Sequence, residues 1–271
     1  MSATRLPVAA FVALVIATVG AFFVVQHLKI TTPLINGYPA PVPSAINPVA
    51  GRVCRVRNGK TGRLIPLSFR QTNVSFYLLN RADNVDVYID HDGVNIVTLP
   101  GSGRYMRIKH RHTFSWNGRL DNGQVAPDGT YYVRVSLVHQ GRTLVIANQS
   151  TGVLEPVTVD TSRPAPVVTS VSPATVSSAS PRSAVTIHYT GTDGVRPQIL
   201  IYRVGSGQAR LVKHYAATSR GGSSVWDGTI GGRPAPAGTY LVGVRVTNRA
   251  CTTGDSPVTA AAAPHAVVTV G

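Results

Sequence analysis

The sequence predicts an all-β protein, two β-sandwiches in tandem behind one N-terminal apolar helix. Three observations carry this. Residues that fill helices are scarce: 4 Lys, a single Glu and 2 Met in 271 residues, beside abundant Val, Thr, Tyr and Gly, which favour strands and turns. After residue 30 the apolar residues alternate along short runs, as half-buried strands require. One motif, W-x-G followed by A-P-x-G-T-Y and an alternating strand, occurs twice, with its tryptophans 110 residues apart.

Leu6 to Val25 carries no charge, and Thr18 is its one polar side chain. About 20 apolar residues is the length that spans a bilayer. The competing reading is a cleaved signal peptide, which needs an apolar region of about 7–15 residues and a small-x-small site. The run is longer than that, and FFVVQHLK offers no such site. Residues 1–29 are therefore expected to be an uncleaved transmembrane signal anchor, in the cytoplasmic membrane through residues 6–25. The N-terminus would be cytoplasmic and the remainder extracytoplasmic, or secreted if the anchor is removed. The formal net charge of +15 does not oppose this, because long translocated domains largely ignore the positive-inside bias. Residues 30–50 hold five prolines and no charge and read as an extended linker.

The duplicated unit sets the domains. Trp116, Gly118, Pro127, Gly129 and Tyr131 recur as Trp226, Gly228, Pro236, Gly238 and Tyr240. Upstream, Val74–Leu78 matches Val185–Tyr189 and Val85–Gly93 matches Gln198–Gly207; each copy closes on a short apolar edge, Val157–Asp160 or Val267–Gly271. Residues 51–163 and 164–271 are thus two homologous domains. Tyr131, Val133, Val135 and Leu137 share one strand face, as do Tyr240, Val242, Val244 and Val246. Many such strands with Gly/Pro/Asn turns make β-sandwiches.

The pattern W-x-G…A-P-x-G-T-Y-x-V-x-V, preceded by a V-x-V-x-I-x-x-x-G strand, resembles the Ig-like domain of flagellar hook-capping proteins. Domains of this kind, akin to fibronectin-III sandwiches, also occur as tandem repeats in bacterial exported proteins of unknown role. The resemblance covers both copies and implies the fold. It does not bring a flagellar role, because the regions that carry that role have no counterpart in this sequence. Nor is a separate catalytic domain expected.

Several stretches invite a chemical reading. Asp121, Asn122 and Asp128 in the first repeated loop suggest calcium, but no Glu follows and the second copy has Thr229, Ile230, Gly231, Gly232 and Ala237. What recurs is Trp, Gly, Ala-Pro and Tyr, residues of packing and backbone geometry; the Tyr resembles a tyrosine corner. Asn58-Gly59-Lys60-Thr61 ends like a phosphate loop, but Cys54 stands where that motif needs Gly, so a turn is expected. His110 and His112 would share a strand face, but they lie among Arg104, Arg107, Lys109 and Arg111, which suits a solvated basic strand better than zinc. A glycosidase pair would have to come from scattered Asp residues. No cofactor and no metal is expected.

Cys54 and Cys251 stand one in each domain, at non-equivalent positions. In an exported protein they could pair and fix the domains' relative orientation, or stay as separate thiols. The basic residues fall in two groups, Arg52, Arg55, Arg57, Lys60 and Arg63, then Arg104, Arg107, Lys109 and Arg111. Such a field attracts anionic wall polymers, phospholipid headgroups or nucleic acid. Nucleic acid is not expected, since no reading module is visible and the domains are exported; a plain Arg-rich solvated surface is the competing reading. The sequence therefore points to a non-catalytic, membrane-anchored binding or scaffold module of the bacterial envelope, contacting an anionic wall polymer or another envelope protein. Alternatives are an accessory subunit that docks a separate envelope enzyme, and a carbohydrate-active enzyme on a sandwich scaffold.

Overall fold

The computed structural model describes residues 5–271 except 32, 38, 60, 179–183, 193–194, 206–208, 219–221 and 258–262. Helix α1 spans Arg5–Thr31, 27 residues, or about 40 Å at 1.5 Å per residue. Its described side chains, 9–25, are all exposed. Among the described residues no helix is long and apolar enough to cross a membrane; the described side chains stop short of the roughly 20 residues a bilayer needs.

The first sandwich begins earlier than the sequence suggests. Its strands are β1 (Ile35–Asn36), β2 (Ala45–Ile46), β3 (Val53–Arg57), β4 (Leu64–Ser68), β5 (Thr72–Leu78), β6 (Asp83–His91), β7 (Val94–Thr98), β8 (Arg104–Met106), β9 (Arg111–Trp116), β10 (Gly129–Leu137), β11 (Arg142–Val145) and β12 (Val157–Val159). The second sandwich contains β13 (Val167–Ser172), β14 (Thr175–Val176), β15 (Val185–Thr190), β16 (Gln198–Val204), β17 (Arg210–Ala216), β18 (Ser223–Trp226), the small ribbon β19 (Thr229–Ile230) and β20 (Arg233–Pro234), β21 (Gly238–Thr247), β22 (Thr253–Ser256) and β23 (Val267–Val270).

The two units share one topology. In the first, β1-β5-β9 faces β2-β12-β10-β6-β7, with β11 also on β10 and β8 on β6. In the second, β13-β15-β18 faces β14-β23-β21-β16-β17, with β22 also on β21. In both, a two-residue strand runs parallel to the closing strand, β2 beside β12 and β14 beside β23. This is the strand order of an Ig-like or fibronectin-III-like sandwich.

The cores follow from the alternation. Val74, Phe76 and Leu78 meet Val85, Val87, Ile89 and the Tyr131–Leu137 face inside the first sandwich, and Val185, Ile187 and Tyr189 meet Ile199, Ile201 and the Tyr240–Val246 face inside the second. In the second copy the opposite face of β21 is covered too: Leu241 is buried, and the Tyr202 ring lies 3.2 Å from the place a Cβ on Gly243 would occupy. The expectation of a half-open strand is corrected there.

Two corrections concern the start of the chain. Residues 33–50 are not a free spacer. Ile35 pairs with Leu78, Ile46 pairs with Val159, and both isoleucines are buried in the first core. Their aliphatic side chains recover more by burial, about 1.5–3 kcal/mol each, than an extended proline-rich chain would. Residues 53–68 do not open the sandwich either. They form the separate hairpin β3–β4, inserted between β2 and β5.

Candidate functional site

The repeated loop is a structural device, and its geometry is the same twice. Trp116 Nε1 donates to the Arg119 carbonyl at 2.9 Å, and Trp226 Nε1 to the Thr229 carbonyl at 3.0 Å. Gly118 and Gly228 take φ of +69° and +68°, which only glycine adopts cheaply. Their carbonyls accept from the backbone amides of buried Ala126 and Ala235. The Tyr131 and Tyr240 hydroxyls then donate to the carbonyls of Pro127 and Pro236, at 2.6 and 2.7 Å. Each Tyr ring packs on its Trp, with centroids 5.0 and 5.5 Å apart. Asp128 has its own task, accepting from the backbone amide and hydroxyl of Thr161 and so tying down the start of the interdomain segment.

Among the described residues no group of three His, Cys, Asp or Glu converges as a metal site. His110 precedes β9, so it does not share a strand face with His112, which turns its Nε2 to the Arg107 carbonyl. Four carboxylates are held singly and apart: Asp83 by His139, Asp90 by Arg134, Asp227 by Lys213 and Asp255 by Arg245. Asp83 is the most enclosed. Burial pushes its carboxyl up, but hydrogen bonds from His139 and Gln140 outweigh that and hold it below the usual carboxylate range. A groove of about 570 Å³ lies between residues 33–39 and β11, and none of its lining residues is a carboxylate or histidine.

The junction between the sandwiches is where non-repeated residues gather. Asn58, Thr61 and Gly62 close the β3–β4 turn: Thr61 N donates to Asn58 Oδ1 and Gly62 N to the Asn58 carbonyl. At the hairpin's base Cys54 is bonded to Cys251, with Cα atoms 6.4 Å apart and 197 residues between them in sequence. Cys251 sits in the β21–β22 turn of the second sandwich at φ +60° and is 3% exposed. Around it, buried Asn47 donates to Thr252 Oγ1, Asn248 donates to Asp160 Oδ2, and Arg163 Nε donates to the Thr253 carbonyl. Gly254 lies so close against the Pro164 carbonyl that a Cβ there would collide with it.

The two basic groups lie at opposite poles of the first sandwich. Arg52, Arg55, Arg57 and Arg63 are exposed on and beside the hairpin, next to the Thr72 end of β5; Lys60 lies outside the described residues. Arg104, Arg107, Lys109 and Arg111 are exposed around β8 and the start of β9, at the Leu78 end of β5, where Lys109 N donates to the Leu78 carbonyl. The sequence grouped these residues correctly by proximity, but their separation depends on where β3–β4 is inserted.

No protein-family model matches the chain, and no curated protein matches it. Among solved structures, the fibronectin(III)-like modules of CbhA from Clostridium thermocellum align over 74% of this chain and 84% of theirs, at 13% identity and TM-score 0.33. The first three fibronectin domains of chicken CNTN1 align over 70% and 58%, at 16% identity and TM-score 0.34. Dimeric latent PorU from Porphyromonas gingivalis aligns over 82% of this chain and 20% of that one, at 14% identity and TM-score 0.28. The fold assignment rests on the strand order and the two cores rather than on these alignments.

Proposed function

We propose that this chain is a non-catalytic binding or scaffold module of the bacterial cell envelope, anchored in the cytoplasmic membrane by α1 and displaying two hook-capping-type sandwiches outside it. The anchor rests on the uncharged run Leu6–Val25. The observation that carries the scaffold reading is the junction. A hairpin inserted in one sandwich is covalently joined to the other, and Asn47–Thr252 and Asp160–Asn248 hydrogen bonds surround the bond. A stapled pair of sandwiches holds binding faces at a fixed spacing. Catalysis has no need of it, and the carboxylates that would serve a glycosidase are individually engaged at separate places. Arg52, Arg55, Arg57 and Arg63 steer the exposed hairpin toward an anionic wall polymer or an acidic face of an envelope protein.

The test is retention of envelope material by the detergent-purified full chain at low ionic strength. Wall polymer or an envelope protein should be retained and then released by salt. Recovery of neither overturns the binding reading, and stoichiometric recovery of one enzyme converts it to the accessory role.

A further inference from the structure

The pole of the first sandwich that carries Arg104, Arg107, Lys109 and Arg111 is also the pole at which the chain arrives from α1. Asn80 Nδ2 donates to the Pro33 carbonyl at 3.2 Å, Leu79 N donates to the Leu34 carbonyl, and Ile35 pairs with Leu78. Leu34 is three residues past the end of α1 at Thr31, a reach of at most about 11 Å. Arg81 is exposed in the β5–β6 turn of the same pole.

Apolar side chains stand out among these cations. Tyr105 is 65% exposed, Ile108 37% and Val138 48%. All three are fixed at this end: Tyr105 pairs with Asn84, Ile108 bridges to Leu78, and Val138 N donates to the Asn84 carbonyl. An exposed aromatic and aliphatic tip ringed by Arg and Lys is the composition of a surface that enters the headgroup layer. The acid nearest the tip is withdrawn from it: Asp83 is 1% exposed, with its oxygens taken by His139 and Gln140.

We propose that this pole is a membrane-facing collar, in which Arg81, Arg104, Arg107, Lys109 and Arg111 bind anionic phospholipid headgroups while Tyr105 and Ile108 enter the interface. The proposal rests on the anchor reading of α1, which brings this pole to the bilayer. It also divides the basic residues by task. The hairpin arginines are about 20 Å away, six strand steps along β5, and face a different partner.

The experiment uses the full chain in vesicles of phosphatidylcholine, with or without about one quarter phosphatidylglycerol. Tyr105→Trp supplies a reporter; the native Trp116 and Trp226 are buried and give a constant background. Quenching by headgroup-nitroxide phosphatidylcholine reads contact. The collar predicts at least about twofold more quenching with phosphatidylglycerol present, lost in R104S/R107S/K109S/R111S and kept in R55S/R57S/R63S. If the quadruple variant does not fold, raising salt to about 0.5 M on the parent gives the same readout. Equal quenching in the two vesicles, or equal loss in both variant sets, overturns the collar. Alkaline carbonate washing separates the two readings: release of the chain refutes the anchor, whereas the collar stands or falls on phosphatidylglycerol dependence alone.

Discussion

The Tyr240 hydroxyl sits four residues downstream of the carbonyl it serves, 2.7 Å from Pro236 O, in a turn otherwise closed by backbone. Tyr240→Phe keeps the ring on Trp226 and removes one buried donor, so it should cost about 1 kcal/mol in urea unfolding. Tyr240→Ala, which also empties the ring's place in the core, should cost about 3–5 kcal/mol. Equal losses for the two would mean that the hydroxyl, not the ring, holds the turn. These residues were legible in the sequence because both copies keep them, and what survives duplication is what the turn needs. Asp83 and Asn47 were not legible. Their partners His139 and Thr252 are 56 and 205 residues away, and each occurs once. A lone polar residue carries no periodic signal of burial.

At the level of elements, strands long enough to alternate were readable and short ones were not. β5, β6, β10, β15, β16 and β21 each have at least six residues and one strongly apolar face. β1 and β2 have two residues each, embedded among prolines, so segment 33–50 looked like a spacer although Ile35 and Ile46 are core residues. The β3–β4 hairpin misled in another way: its strands are exposed or half-exposed on both faces, and no burial pattern marks it as an insertion. The same return of residues 33–50 to the sandwich makes one glycine critical. A Cβ on Gly118 would strike the Pro48 ring, in addition to meeting φ +69°; a Cβ on Gly123, at φ +79°, has open space. Gly123→Ala should therefore cost about 1–2 kcal/mol, the left-handed penalty alone, and Gly118→Ala at least about 3 kcal/mol once the overpacking is added. Chemical denaturation of the two variants decides; equal costs would mean that the Pro48 segment yields freely.

For the whole molecule, duplication revealed how many sandwiches there are, but not how they are held together. Their relation depends on residues outside the repeat, and Cys54 and Cys251 occupy non-equivalent places in the two copies. The bond closes a loop of 197 residues, for which chain entropy gives about 5 kcal/mol of stabilisation against complete unfolding. Each sandwich keeps its own core without it. Cys54→Ser/Cys251→Ser should thus leave far-UV circular dichroism unchanged while loosening the junction, where only hydrogen bonds such as Asn47–Thr252 and Asn248–Asp160 remain. The expected signatures are a broader distance distribution in small-angle scattering and one thermal transition separating into two, because inter-domain contacts of this polar kind permit motion by default. A double variant with unchanged scattering and a single transition would show that the hydrogen-bonded junction is rigid unaided, and the hairpin would then owe its place to the partner it meets rather than to the staple.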